Sequence, residues 1–569
     1  MNSKIYKING IISNYLRTKS IRSLSFNLNN YVATNEPIFD YKKNSPEAVK
    51  LHATLKEFLS NKKENCDALF DVPIVIGDSE FRTQNAQYQV VPFDHKTKLA
   101  RFYHADKNLI NDAIKNSLSV RAEWENSSFE YRAGIFLKAA DKISNEKRAE
   151  ILAATMLGQG KTVFQAEIDA ACELADFLRF NVQFLSEHLK YKPLDVADHT
   201  KNNMELRGLE GFVAAVAPFN FTAIGGNLST APALMGNVVV WKPSDTAVLS
   251  SYLVYKILRE CGLPAGVINF VPSLGPDFGE TITQSENLAA INFTGSVPTF
   301  RWLWKKVGEN LETYKTFPRL SGECGGKNFH LIHESADIES AAVATVRSAF
   351  EYSGQKCSAC SRLYVPESKW PQMKEKMSAL IKELQIDTPL KFETFTSAVI
   401  DERSFDKIAN YIEYGRDSAK LVFGGFYNKT NGYYVYPTMF ETKDPKDKLM
   451  REEIFGPVLT VYKYKDNEYD QIINLVDTTT PYALTGSIFA KDENILKMTK
   501  TRLRQACGNL YINDKSTGAV VNQQPFGGAR LSGTNDKPGG PGYLLKWASP
   551  LSVKEFLLPQ STVKHASML

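Results

Sequence analysis

Four short apolar runs constrain the fold more than anything else in this chain. They are GFVAAVA (211–217), NVVVW (237–241), VINFV (267–271) and AAINF (289–293). Such runs have no polar face to offer water, so each reads as a strand buried on both sides. Between the second and third, residues 246–261 place Val254, Ile257, Leu258 and Cys261 on one helical face. Strand and helix alternating at this spacing predict a parallel sheet covered by helices on both faces. A second series follows, with strands at 329–333, 362–365, 458–464, 484–490 and 508–512 and helices at 335–350 and 368–384. The fold class is therefore α/β, and 569 residues suffice for more than one core.

Upstream, the pattern predicts helices over 46–60, 109–116, 129–144, 147–158 and 163–189, with short strands at 74–77 and 88–92. The Ala, Leu and Phe spacing of 163–189 is that of a core helix. Residues 191–209 are polar, with alternating stretches, and read as a β-hairpin arm projecting from the body. A last strand, 551–558, needs a partner, since an unpaired edge seeks one.

Charge narrows the function. The net charge is +5, and Lys4, Lys7, Arg17, Lys19 and Arg22 account for all of it. The remainder is near neutral, which gives no electrostatic case for nucleic acid. No apolar run is long enough for a membrane span. The first acid is Glu36, and Ile5, Ile8, Ile12 and Leu16 share a helical face, the composition of a mitochondrial transit peptide. The seven cysteines are odd in number and scattered, which argues for reduced thiols. Cys357 and Cys360 form a C-x-x-C with no second pair and no paired His, so no metal site is expected.

Cys357 follows a predicted helix and precedes a predicted strand, in FEYSGQKCSACSRL (350–363). A thiol on a loop held between regular elements suits a nucleophile, although a single Cys is more often a small buried hydrophobe. Glu323, in the Gly-rich stretch RLSGECGGKNFHLIH, supplies a carboxylate in a second turn-rich segment. Lys356 would favour the thiolate if it turned inward, or would be a solvated charge.

These stretches line up with PFNF (218–221) and EEIFGPV (452–458), and together they resemble the aldehyde dehydrogenase superfamily over nearly the whole chain beyond the leader. SAFEYSGQKCSACSRLYVP, ECGGKNFHLIH, FTGSVPTF and YINDKSTGAVVNQQPFGGARLSGTNDKPGGP are closest to members acting on the γ-semialdehyde of glutamate. The resemblance implies a Rossmann-like NAD domain (36–190 and 209–320), an α/β catalytic domain (321–527) and a small β oligomerisation flap (191–208 and 543–562), behind a transit peptide (1–35). It implies that Cys357 is the nucleophile, Asn220 an oxyanion donor and Glu323 the base that activates water.

No G-x-G-x-x-G opens the first sheet, so pattern alone does not establish a dinucleotide site. The resemblance gives the NAD contacts to Lys242, to the Gly295, Ser296, Val297, Pro298 and Thr299 turn, and to Glu453 and Phe455. Asp245, where many members carry Glu, would accept ribose hydroxyls and repel a 2′-phosphate, which favours NAD. Gly518 and Ala519 would offer backbone N–H groups to the substrate carboxylate, Ser358 a hydroxyl, and Phe221 and Phe526 would flank the aliphatic chain. The implied product is glutamate, the location the mitochondrial matrix and the assembly a homodimer. A different semialdehyde would use the same thiol and carboxylate without needing the Ser516–Ala519 loop.

Overall fold

The computed structural model describes residues 28–60, 69–84 and 86–569. Residues 1–27 of the expected leader lie outside the described residues.

The first predicted series is a seven-stranded sheet in the order Arg319–Glu323, Leu288–Thr294, Phe212–Val216, Val238–Lys242, Ile268–Phe270, Ile74–Ile76, Ser79–Phe81. Its first five strands run parallel, and the last two are antiparallel additions. Alternation explains the apolar runs. Val213 and Ala215 enter the core beneath helices Thr222–Leu234 and Val248–Glu260, while Phe212 and Ala214 enter the core beneath Lys107–Glu125 and Gly275–Gln284.

The second series is another seven-stranded sheet, ordered Lys420–Phe423, Thr438–Thr442, Val458–Tyr464, Cys360–Pro366, Asn328–Ile332, Thr485–Phe489, Asn509–Ile512. Only its Lys420–Phe423 edge is antiparallel.

Some elements differ from the sequence pattern. Arg319–Glu323 is a strand that ends at Glu323, so this carboxylate is not in a loop but at the tip of a sheet edge. Polar, charged residues hide a ten-residue strand, Asp94–Tyr103, whose first half is only partly covered and pairs with Ala86–Val91. The helix read over 163–189 contains a π-helical turn, Glu167–Glu173, between Val163–Ala166 and Leu174–Leu189. In place of a hairpin within 191–209, Thr200–Arg207 pairs antiparallel with Ser549–Phe556 along its whole length. Leu551, Val553 and Phe556 on that ribbon are exposed.

Residues 28–41 strap the helical layer of the first unit. Leu28 and Ala33 are buried, and Asn35 Nδ2 donates to Asp176 (2.7 Å) and to the Val521 carbonyl (3.0 Å). Glu36 accepts from Arg148 (2.6 Å) and Arg179 (2.5 Å), and Tyr41 donates to Glu167 (2.8 Å).

Candidate active site

In the first sheet the chain runs outward from Phe212–Val216 through Val238–Lys242 to Ile268–Phe270, then returns to the other flank at Leu288–Thr294. That reversal opens a crevice at the carboxyl ends of the strands, where open α/β sheets bind ligands. Here the crevice faces the amino ends of the second sheet. The result is a cavity of about 890 Å³ lined from one side by Asn220, Lys242, Gly295, Ser296, Pro298 and Thr299 and from the other by Cys357, Glu453 and Phe455. Glu323, whose strand edges the first sheet, lines it as well.

A strained turn presents Cys357. Tyr352, Ser353 and Gly354 are consecutive residues at φ of +53°, +52° and +66°. Two non-glycine residues in the left-handed region cost roughly 1–3 kcal/mol each, and such strain gathers at functional sites. The turn is held by Tyr352 Oη donating to the Gln159 carbonyl (2.9 Å) and by Ser353 N–H donating to Thr396 Oγ1 (2.7 Å). Beyond it, buried Asn328 donates to the carbonyls of Cys357 (2.6 Å) and Ala359 (2.8 Å) and accepts from Thr485 N–H (3.0 Å). Asn220 Nδ2 donates to the Gln355 carbonyl (3.1 Å), which leaves its second amide hydrogen for a ligand.

Burial pushes the Cys357 thiol up to about 12, assisted by the negative charges of Glu323, Glu453 and Glu173. Lys356 does not counter this. It is neither turned toward the thiol nor solvated; it is buried and donates to Glu351 (3.0 Å). Glu351 is held down at about 2, because Lys356, Lys515 and Arg347 outweigh its burial.

The Glu323 carboxyl is also pushed well up by burial, against the opposing pull of the Gly528 N–H and Lys537. One of its oxygens accepts from Gly528 (3.0 Å), and the other is buried without a partner. Glu453 is raised by burial too, opposed by Lys407, and accepts from Gly326 N–H (3.0 Å). A Cβ on Gly325 would fall 2.1 Å from the Glu453 carboxylate oxygens, so a side chain there would displace this carboxylate. Phe455 adopts φ +60° and meets Phe219 edge-to-face (ring centroids 5.8 Å apart) across the cavity wall.

The dinucleotide candidates form one group. Ser296 caps helix Val297–Glu309 by accepting from Thr299 N–H (3.3 Å), with Pro298 in the first turn. Gly295 N–H donates to the Glu323 carbonyl (3.1 Å), so this turn and the candidate base share a backbone link. Burial lowers the Lys242 ammonium, whose proton goes to the neighbouring Pro243 carbonyl (3.2 Å). The helix N-terminus and the lysine suit the negative charge of a pyrophosphate. Asp245 is absent from the cavity wall, and its carboxylate is held by His104 (2.9 Å).

None of the substrate candidates lines that cavity. Ser358 Oγ and Thr517 Oγ1 are 2.7 Å apart, which brings the 516–519 loop against the thiol's neighbour. Gly518 has φ +90° and is exposed; Ala519 and Phe526 are half-buried. Phe221 stacks under the Lys161 ammonium, 3.9 Å from the ring centroid.

Sequence patterning does not flag the polar cluster behind Phe221. Lys161 and Asp169 form a fully buried pair (2.7 Å), and Asp169 also accepts from Thr222 and Ala223 N–H, fixing the helix after Asn220. Glu173, at the end of the π-helical turn, is pushed up to about 8 by burial and by Asp169. The available signal was acids within a run that otherwise reads as core. Cys360 is a free, buried thiol packed with Leu363 and Val365. No group of His, Cys, Asp and Glu among the described residues could hold a metal ion.

A thiol, a buried carboxyl and an amide donor line one crevice, and the chain that builds it belongs to the aldehyde dehydrogenase family, whose model matches residues 81–553. Within that family the chain is 56% identical over 537 residues to the mitochondrial delta-1-pyrroline-5-carboxylate dehydrogenase of Danio rerio, covering 94% of this chain and 95% of the relative. It is 55% identical over 537 residues to that of Homo sapiens, covering 94% of each. The crystal structure of the Mycobacterium tuberculosis delta-pyrroline-5-carboxylate dehydrogenase bound with NAD superposes with a TM-score of 0.90 at 42% identity, covering 95% of this chain and 98% of that one.

Proposed function

We propose that this protein oxidises L-glutamate γ-semialdehyde, the open form of Δ1-pyrroline-5-carboxylate, to L-glutamate with NAD, the second step of proline degradation. The observation that carries this reading is the convergence of Cys357, Glu323 and Asn220 on one cavity whose far wall is Lys242 and a capped helix N-terminus. The relatives named above are delta-1-pyrroline-5-carboxylate dehydrogenases, and one is bound with NAD.

The residues present fit a dinucleotide. Lys242 would meet the adenosine ribose, residues 295–299 the pyrophosphate, and Glu453 and Phe455 the nicotinamide riboside. When bound, NAD supplies a hydride acceptor. Cys357, as thiolate, adds to the aldehyde carbon. The developing oxyanion accepts from the free Asn220 amide hydrogen and the Cys357 N–H. Collapse of the thiohemiacetal releases hydride and leaves a thioester on the sulfur. Glu323 then takes a proton from water, which attacks the thioester carbonyl. Its unpartnered buried oxygen is the atom free to do so. Gly518 and Ala519 N–H and the Ser358 hydroxyl would hold the α-carboxylate, Phe221 and Phe526 the chain.

We place the protein in the mitochondrial matrix, and draw the end of the leader back from the expected residue 35 to before Leu28, because Leu28 and Ala33 are buried in the body. It works as a homodimer joined through the ribbon of Thr200–Arg207 and Ser549–Phe556. The test is NADH formation from pyrroline-5-carboxylate, with NAD and NADP side by side and uncharged aldehydes of equal length as controls. No NADH from folded protein would overturn the reading. Cys357→Ala should abolish hydride transfer, and Edman or mass analysis of organelle-purified protein should find a new amino terminus beyond about residue 20 rather than Met1.

A further inference from the structure

The Glu323 side chain is gripped by a loop that comes from the far end of the chain. Gly528 N–H donates to Glu323 (3.0 Å), Cys324 N–H donates to the Ser532 carbonyl (2.8 Å), and Gly322 exchanges hydrogen bonds with Thr534. At the centre of that loop is Lys537. Its ammonium donates to three oxygens: the carbonyls of Gly508 (2.8 Å) and Gly527 (3.0 Å) and Oδ1 of Asn509 (3.1 Å). All three of its protons are therefore engaged, and the head group is fixed. Lys537 also has φ +58°, a conformation disfavoured for a long side chain. The fold thus tolerates local strain to place an ammonium here.

Two consequences meet at Glu323. The Gly527 carbonyl held by Lys537 belongs to the peptide whose N–H is that of Gly528, so the lysine orients the donor that grips the carboxylate. Lys537 is also the one cation among the described residues that bears on this carboxyl. The other groups facing it do not supply positive charge. Asp536, on the same loop, opposes Lys537 but is itself engaged by Thr534 (2.5 Å) and Lys546 (3.3 Å). The thiols of Cys324 and Cys357 and the phenol of Tyr543 are neutral until they lose a proton.

We propose that Lys537 is the positioning residue for Glu323: it aims the Gly528 N–H at one carboxylate oxygen and supplies the charge that lets Glu323 act as a base near neutral pH. This rests on the reading of Glu323 as the base of thioester hydrolysis.

The experiment compares Lys537→Met, Lys537→Gln and Lys537→Arg with the parent enzyme in pre-steady-state and steady-state turnover of pyrroline-5-carboxylate and NAD between pH 6 and 10. Without the cation, Glu323 needs a higher pH to ionise. The acid limb of kcat should move up by about one unit or more, a loss of about tenfold on that limb. The NADH burst should persist, and kcat should recover toward the parent value at high pH. Lys537→Arg should keep most of the parent profile. A kcat lowered equally at every pH, an unmoved acid limb, or loss of fold in both neutral variants would overturn the proposal, since each assigns Lys537 a merely structural part or none. Glu323→Gln separates the two levels. If it turns over at the parent rate, the base assignment itself fails. If it stalls after the burst while the neutral Lys537 variants keep the parent profile, only the inference about Lys537 falls.

Discussion

Replacing Asn328 by Asp isolates what positions Cys357, the proposed nucleophile. The swap is nearly isosteric, and Oδ1 still accepts from Thr485 N–H. The other end changes sign. An amide that donates to the Cys357 carbonyl at 2.6 Å and the Ala359 carbonyl at 2.8 Å becomes an acceptor facing two acceptors. Each buried carbonyl left without its donor costs about 1–3 kcal/mol, the lost bond included. The cost falls on a loop already strained at Tyr352 and Ser353. A penalty of roughly 2–6 kcal/mol for the two is too small to unfold most proteins but large enough to release the loop. At about 1.4 kcal/mol per decade, kcat/KM should fall by about thirtyfold or more. NAD affinity should hold within about threefold, because Lys242 and residues 295–299 come from the other sheet and only Glu453 and Phe455 share the sheet of Asn328. Steady-state NADH formation gives the first quantity and titration of protein fluorescence by NAD the second. Parent-like kcat/KM in a folded Asn328→Asp enzyme would refute the argument that these two bonds position Cys357.

Three further outcomes follow from the same geometry. In the cofactor-free enzyme, alkylation of Cys357 should rise about tenfold per pH unit through pH 9 and beyond, because burial and three acids push this thiol to about 12; a plateau near pH 8.5 would contradict it. Gly518→Ala forces a Cβ onto a residue at φ +90°, within 2.9 Å of the Lys515 ammonium, and should raise KM for the semialdehyde roughly tenfold while leaving KM for NAD unchanged. Glu36→Ala removes one carboxylate from Arg148 and Arg179, both largely buried, and leaves them Glu167 and Asp141; it should destabilise the fold by about 1–3 kcal/mol, read as a lower Tm.

What the sequence determined and what it did not divide along a physical line. Apolar runs of strand length determine two parallel sheets by themselves, because a segment with no polar face has nowhere to go but between layers. Cys357, Glu323 and Asn220 were legible for another reason: long contiguous stretches around them match those of known enzymes. The opposition of the two sheets, carboxyl edge against amino edge, was decided only by the tertiary structure. So were the partners of charged residues. Lys356 turned to Glu351, Asp245 to His104, and Lys537 to three oxygens beside Glu323. Pattern records whether a residue prefers water. It cannot say which group satisfies a charge once water is excluded, because that partner is chosen by packing, as with Glu323 and Gly528, which lie 205 residues apart.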